Sequence, residues 1–391
     1  MYSESEILDF IEEEDVKFIR LAFFDLKGKQ KNISILAREL NRAFSDGISF
    51  DASAIEGFET PEKSDLFLHP DPTTLSILPW RPEIGKVVRM FCHIKYPDGT
   101  PYEKDCRTML KNAQKKIKSE CNVDLNFGSE IEFYLFKLDS EGNPTKTPFD
   151  NAGYMDIAPI DRGENIRRDI CFTLEQMGII PESSHHEEGE GQNEIDFHYS
   201  DALTAADNTA TFKWIVRTKA NSSGLYADFS PKPIDNMPGS GHHINISCSD
   251  SSKLNNILAG IIKHAKEITY FLNSTEDSYK RLGDHKASKY ICYGHQNRSA
   301  FIRLPACKHI PRIEIRSPDP ECNPYLVFTV LIHAAIEGIK NNLTPPEPIE
   351  ENLFDIENAT KCNVSALPSS LEEAKEIAKN SEFIKGIFGN I

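Results

Sequence analysis

An α+β fold in two domains is predicted by three features of the sequence. Strand-like runs crowd residues 1–101, and strands alternate with helices from Tyr102 onward. Four of the later strands carry apolar side chains on one face and acidic, His or Arg side chains on the other. These features place a small N-terminal sheet-and-helix domain at 1–101 and a larger domain at 102–391.

The first element is an amphipathic helix, with Ser3 and Glu6 spaced as a capping box and Ile7, Phe10, Ile11 and Val16 near helical period. Strands are expected at FIRLAFFDL, LSILPW and VVRMFCHI, with turns at Lys27-Gly28 and Pro97-Asp98-Gly99. Beyond them, helices are predicted over 107–119, 167–177, 209–220, 257–272, 325–340 and 371–379. The stretch 345–368 reads as loop, and Ser370 with Glu373 caps the last helix. Trp80 and Trp214 are expected in the core.

Composition excludes several classes of function. The 391 residues include 44 Lys+Arg against 60 Asp+Glu, a formal net charge of −16, which argues against a broad nucleic-acid or anionic-membrane surface. The acidic start lacks a basic region followed by an apolar core, and the apolar run Tyr325 to Ile336 is too short to cross a bilayer. Nine cysteines without a CxxC pair point to reduced thiols in the cytoplasm rather than a zinc ribbon.

Sorting the four later strands by parity gives the central observation. In GSEIEFYLF, Ile131, Phe133 and Leu135 oppose Glu130, Glu132 and Tyr134; in NEIDFHY, Ile195, Phe197 and Tyr199 oppose Glu194, Asp196 and His198. In HHINIS, Ile244 and Ile246 oppose His243, Asn245 and Ser247, and in RIEIRS, Ile313 and Ile315 oppose Arg312, Glu314 and Arg316. A half-solvated sheet face usually carries Lys, Thr and Gln, whereas these faces carry Glu, His and Arg and no Lys. Glu187 in the glycine-containing SSHHEEGEG joins the set.

If these faces converge, Glu130, Glu132, Glu187, Glu194, Glu314 and His243 form an oxygen-rich cluster that suits Mg²⁺ or Mn²⁺ better than zinc. Arg281, Arg298, Arg303 and Arg316 lie in or near the same segments, and metal plus Arg suits phosphoryl transfer. No Walker A or GxGxxG motif is present, so a nucleotide would bind through carboxylate-held metal.

Seven segments, FDASAIEGF (50–58), GSEIEFYLF (128–136), SHHEEGEGQNEIDF (184–197), PGSGHHINIS (238–247), YKRL (279–282), NRSAFIRLP (297–305) and RIEIRSPDPECNPYL (312–326), resemble in order those of type I glutamine synthetase. The resemblance implies a β-grasp-like N-terminal domain and a catalytic domain whose curved antiparallel sheet forms a half-barrel flanked by helices. It further implies ATP-dependent ligation of ammonia to the glutamate γ-carboxylate through γ-glutamyl phosphate. Two divalent ions are implied, one on Glu132, Glu187 and Glu194 and the other on Glu130, His243 and Glu314. Glu182, Asn245, Ser247, Arg298 and Arg303 match nucleotide-site positions, and Arg281, Arg316 and Gly239 match glutamate-site positions. Asp51 and Tyr154 match the ammonia pocket, while His242, His185 and His186 are read as packing or supporting residues.

Departures from the family pattern fall at the ammonia and glutamate sites. Ala54 stands where a serine is expected, Pro238 replaces a glutamate-contacting Asn, and Lys286 replaces the glutamate of the flap that closes over the intermediate, with Asp284 as a candidate stand-in. These leave two alternatives open, a glutamate–amine ligase taking a small amine and a weakly active paralogue. Thr60 stands where feedback-regulated relatives carry Arg. The resemblance implies a homo-oligomer in hexameric rings, with the active site between Asp51 of one subunit and the barrel of the next. The family's ring-stacking tail would lie beyond Ile391.

Overall fold

A computed structural model describes residues 3–389 and folds as two compact units. The first runs to Asn112 and takes in Glu175–Gly178; the second holds Ala113–Leu174 and the residues from Ile179 onward.

In the first unit, helix Glu4–Glu13 starts at the Ser3/Glu6 capping box. Its six-stranded sheet runs in the order Gln30–Leu36, Val16–Phe24, Lys86–Lys95, Asp65–Pro70 and Ile48–Asp51, with Ser76–Ile77 also pairing Lys86–Lys95. Val16–Phe24 lies antiparallel to the first of these strands and parallel to Lys86–Lys95. The expected strand LSILPW thus shrinks to two residues, since Leu78, Pro79 and Trp80 leave the sheet. Trp80, like Trp214, is only partly buried rather than in the core.

The second unit is built on a ten-stranded sheet that curls into a half-barrel. Its central strand, Leu125–Leu138, pairs with Gln192–Phe197 on one side and His242–Cys248 on the other. Pro181–His186 extends the sheet beyond the first, and Ile313–Ile315, Ala300–Leu304 and Tyr290–His295 extend it beyond the second. Pairing is antiparallel except between Tyr290–His295 and Ala300–Leu304.

Helices Ala202–Ser222 and Pro324–Lys340 pack on one face of this sheet, where Phe127 stacks on Phe328 at 4.4 Å and Phe133 meets Phe212 at 6.1 Å between ring centroids. Ile131, Ile195, Ile244 and Ile315 are fully buried. Parity fails at one position: strand Gln192–Phe197 ends before His198, so Tyr199 leaves the apolar face and is 51% exposed.

The expected helix 257–272 is broken at His264, giving Leu254–Lys263 and Ala265–Leu272. The loop-rich stretch 345–368 contains a further helix, Ile356–Cys362. Leu254–Lys263 meets Pro324–Lys340 at two glycines: a Cβ on Gly260 would lie 2.1 Å from the Ala334 carbonyl oxygen, and one on Gly338 would lie 2.1 Å from that of Asn256. In an open helix Gly→Ala stabilises by about 1 kcal/mol. Gly260→Ala should reverse that sign and destabilise by about 1–3 kcal/mol through overpacking, read as a lower urea midpoint.

Candidate active site

With helices covering one face of the half-barrel, the side chains of opposite parity meet on the other. Glu132 sits directly across from Glu194, which in turn sits across from His185. Glu130 faces Asp196 on one side and His243 on the other, and Glu314 pairs with Asn245 and Arg303. Like charges opposed across a ladder repel, so this arrangement needs compensation.

A cavity of about 440 Å³ opens on this face. Glu130, Glu132, Glu187 and Glu194 supply its acidic wall, and Arg281, Arg298, Arg303, Arg312 and Arg316 also line it. Three groups place one ligand-type atom per residue within 4.8 Å of one another: Glu130, His243 and Glu314; Glu132, Glu194 and His243; and His185, Glu187 and Glu194. His185, read from sequence as a supporting residue, therefore stands among the potential ligands.

The loop between strands Pro181–His186 and Gln192–Phe197 is closed tightly. Glu187 N donates to the Gln192 carbonyl at 2.8 Å, and Gly191 has φ +71°. His186 is fully buried, with Nε2 at 2.9 Å from Asp150 Oδ1 and Nδ1 at 2.7 Å from the Glu187 carbonyl oxygen. Burial alone would lower its pKa, but Asp150, the Glu187 carbonyl and Asp161 together outweigh burial and raise it.

Gln192 Nε2 donates to Glu132 Oε2 at 3.1 Å and to the Gly239 carbonyl at 3.2 Å, tying the acidic wall to the segment 238–241. Gly241 N donates to the same Glu132 oxygen at 2.7 Å. Gly239 admits no side chain, since a Cβ there would lie 2.4 Å from the Pro231 carbonyl oxygen and 2.8 Å from Arg281 Cγ. Arg281 is itself buried and donates to the Ser317 carbonyl at 2.8 Å.

Glu314 is 0% exposed, and its two oxygens are held by Arg303 and Arg316. Arg316 also donates from Nε to the Arg298 carbonyl at 3.0 Å. Asn245 bridges Glu130 Oε1 at 2.7 Å and Arg312 Nε at 2.9 Å.

The remaining expected site residues are more dispersed. Tyr154 lines the cavity with its ring 5.5 Å from that of His185. Ser247 is buried on the strand beyond Asn245, and Glu182 is exposed on strand Pro181–His186; neither lines the cavity. Asp51 belongs to the first unit, where its Oδ1 accepts from Ser53 N at 2.9 Å and from Ser53 Oγ at 2.6 Å.

Burial dominates the electrostatics of the acidic wall. It raises the pKa of Glu132, of Glu194 and, to about 8, of Glu187, where neighbouring Glu132 adds to the rise. Asp196 is raised to about 7 by burial and by Glu130. Burial, then Arg316, lowers His243 well below the usual imidazole range, leaving it neutral at pH 7 and able to offer a lone pair. Carboxylates short of positive charge beside a neutral imidazole fit hard divalent cations.

The family model "Glutamine synthetase, catalytic domain" matches residues 103–391, and "Glutamine synthetase, beta-Grasp domain" matches 15–97. The chain belongs to the glutamine synthetase family. Glutamine synthetase of Clostridium saccharobutylicum is 43% identical, the match covering 100% of this chain and 92% of that protein. The Methanosarcina mazei enzyme is 42% identical, over 99% and 91%. Among solved structures, a GmaS/ADP complex superposes with TM-score 0.89 at 28% identity, covering 98% of this chain and 92% of its own. Plasmodium falciparum glutamine synthetase superposes with TM-score 0.88 at 27% identity, over 99% and 93%.

A testable pH dependence follows. Glu187 and Asp196 bind protons more tightly folded than unfolded, so the stability they contribute is present at low pH and lost as pH rises through roughly 4 to 8. A bound divalent ion removes that loss. The rise in Tm on adding Mg²⁺ should therefore be larger at about pH 8 than at about pH 5.5, and Glu187→Gln should shrink the difference. Equal Mg²⁺ shifts at both pH values would contradict the assignment.

Proposed function

We propose that the chain is a glutamate–ammonia ligase that converts glutamate, ammonia and ATP into glutamine, ADP and phosphate through γ-glutamyl phosphate. The observation that carries this reading is a single cavity lined by clustered carboxylates, a neutral imidazole and five arginines. The full-length identity to proteins named glutamine synthetase favours ammonia over a larger amine as the acceptor.

In this reading Glu132, Glu187 and Glu194 hold one divalent ion and Glu130, His243 and Glu314 the other; the second set clusters as such, while Glu194 is grouped with Glu132 and His243 and separately with Glu187 and His185. A divalent ion such as Mg²⁺ or Mn²⁺ held by these residues would offset the carboxylate charge and supply the positive charge that phosphoryl transfer requires. Arg298 and Arg303 hold the nucleotide phosphates, while Glu182, Asn245 and Ser247 serve the rest of the nucleotide. Arg281 and Arg316 bind glutamate, whose amino-acid head approaches the Gly239 backbone where no side chain fits. Asp51 and Tyr154 bind ammonium and orient it, and Asp51 takes its proton. The enzyme works as a homo-oligomer, as hexameric rings, in the cytoplasm; nine free cysteines agree with a reducing compartment. No helix among the described residues is long and apolar enough to cross a membrane.

The ammonia side is where this chain departs from the family pattern. Lys286 takes the place of the flap glutamate, and Asp284 is committed to Lys232 and His285, which argues against its standing in. Incubation with ATP, Mg²⁺ and glutamate should release phosphate when ammonium is supplied; release only with an amine, or none, would overturn the assignment. Glu187→Gln and Glu314→Gln should each weaken Mg²⁺-dependent nucleotide binding by more than the ten- to hundredfold typical of groups behind a ligand. Unchanged affinity in either variant would contradict the ligand sets.

A further inference from the structure

The loop after helix Glu276–Arg281 holds a cation at the mouth of the acidic cavity. It closes on itself: Asp284 N donates to the Arg281 carbonyl at 2.9 Å, Ala287 N to Asp284 O at 3.0 Å, and Gly283 N to Ala287 O at 3.1 Å. His285 takes a left-handed φ of +47°, a conformation that costs energy for a residue with a Cβ. Asp284 is paired with Lys232, a buried side chain that also donates to the Met237 carbonyl. From this anchored loop Lys286 reaches Glu188, on the tight turn that carries Glu187, and its ammonium lies 5.8 Å from the Tyr154 ring centroid. Lys286 is the one lysine among the described residues that line the cavity.

A lysine ammonium and a free ammonium ion carry the same charge and the same N–H donors. A carboxylate and an aromatic face, the two groups beside Lys286, are what would also recognise free ammonium. An ammonium ion approaching the cavity meets a fixed positive charge and finds Glu188 already occupied. Both effects weaken its binding in the same direction.

We propose that Lys286 is a tethered competitor of substrate ammonium, a residue that sets the ammonium requirement; this rests on the ammonia-ligase reading. Lys286 is 59% exposed and Glu188 31%, so screening by water keeps the effect moderate. Lys286→Met, which keeps length and removes charge, should lower KM for ammonium about three- to fivefold while leaving KM for glutamate and for ATP in place. Lys286→Arg, which keeps the cation, should leave KM for ammonium near the unsubstituted value.

The assay is steady-state phosphate release at varied ammonium by the full chain in its native assembly. An unchanged or higher KM for ammonium in Lys286→Met, in an enzyme that turns over ammonium, overturns this proposal alone. A rise in all three KM values would show that Lys286 only holds the loop, and would also overturn it. Absence of ammonium-dependent release by the unsubstituted enzyme would overturn the ligase reading, and the proposal with it.

Discussion

Carboxylates held against one another on a single sheet face are the constraint that organises the catalytic unit. Glu132 opposes Glu194 and Glu130 opposes Asp196 across adjacent strands. Like charges paired in this way repel, and burial drives up the pKa values of Glu132, Glu194 and Asp196. What forces the carboxylates together is the other face, where Ile131, Ile195, Ile244 and Ile315 are fully buried beneath helices Ala202–Ser222 and Pro324–Lys340. Burying each such side chain contributes roughly 1.5–3 kcal/mol, and slipping any strand by one residue would forfeit that whole row. The apolar core thus fixes the acidic wall in a charge state that a divalent cation relieves.

The two sides of the cavity handle charge differently. Glu314 is balanced within the chain by Arg303 and Arg316, and His243 beside it is neutral. Glu187 and Glu194 instead have His185 near them, at 3.6 and 3.5 Å, and among the described residues neither is ion-paired with an arginine. Bound cation and anionic ligand would therefore redistribute partners most at Glu314, where the two arginines are shared between a carboxylate and any phosphate that arrives. The Gln192 side-chain amide and the Gly241 backbone N–H both donate to Glu132, so the wall keeps its shape as charge is exchanged.

Much of the site was legible because strand parity is local. Alternation in GSEIEFYLF and HHINIS places Glu130, Glu132 and His243 on one face without knowledge of the fold, and the register confirms that they meet. Tyr199 was misplaced because parity holds only while the strand lasts. The proximity of His185 to Glu194 comes from a strand pairing that local spacing does not encode. The Lys286–Glu188 pair spans 98 positions and the Asp284–Lys232 pair 52, beyond the reach of any pattern in sequence. Glu182, Asn245 and Ser247 lie outside the cavity lining, and similarity of motif fixes their order along the chain without fixing their reach in space.

The proposed function requires one curled sheet to hold two divalent ions. Mn²⁺ binding followed by electron paramagnetic resonance on the full chain, with Glu194→Gln and Glu314→Gln beside it, tests this most directly. Two ions per chain are expected, with each substitution weakening a different one. A single ion, or two ions weakened alike by both substitutions, would contradict the account.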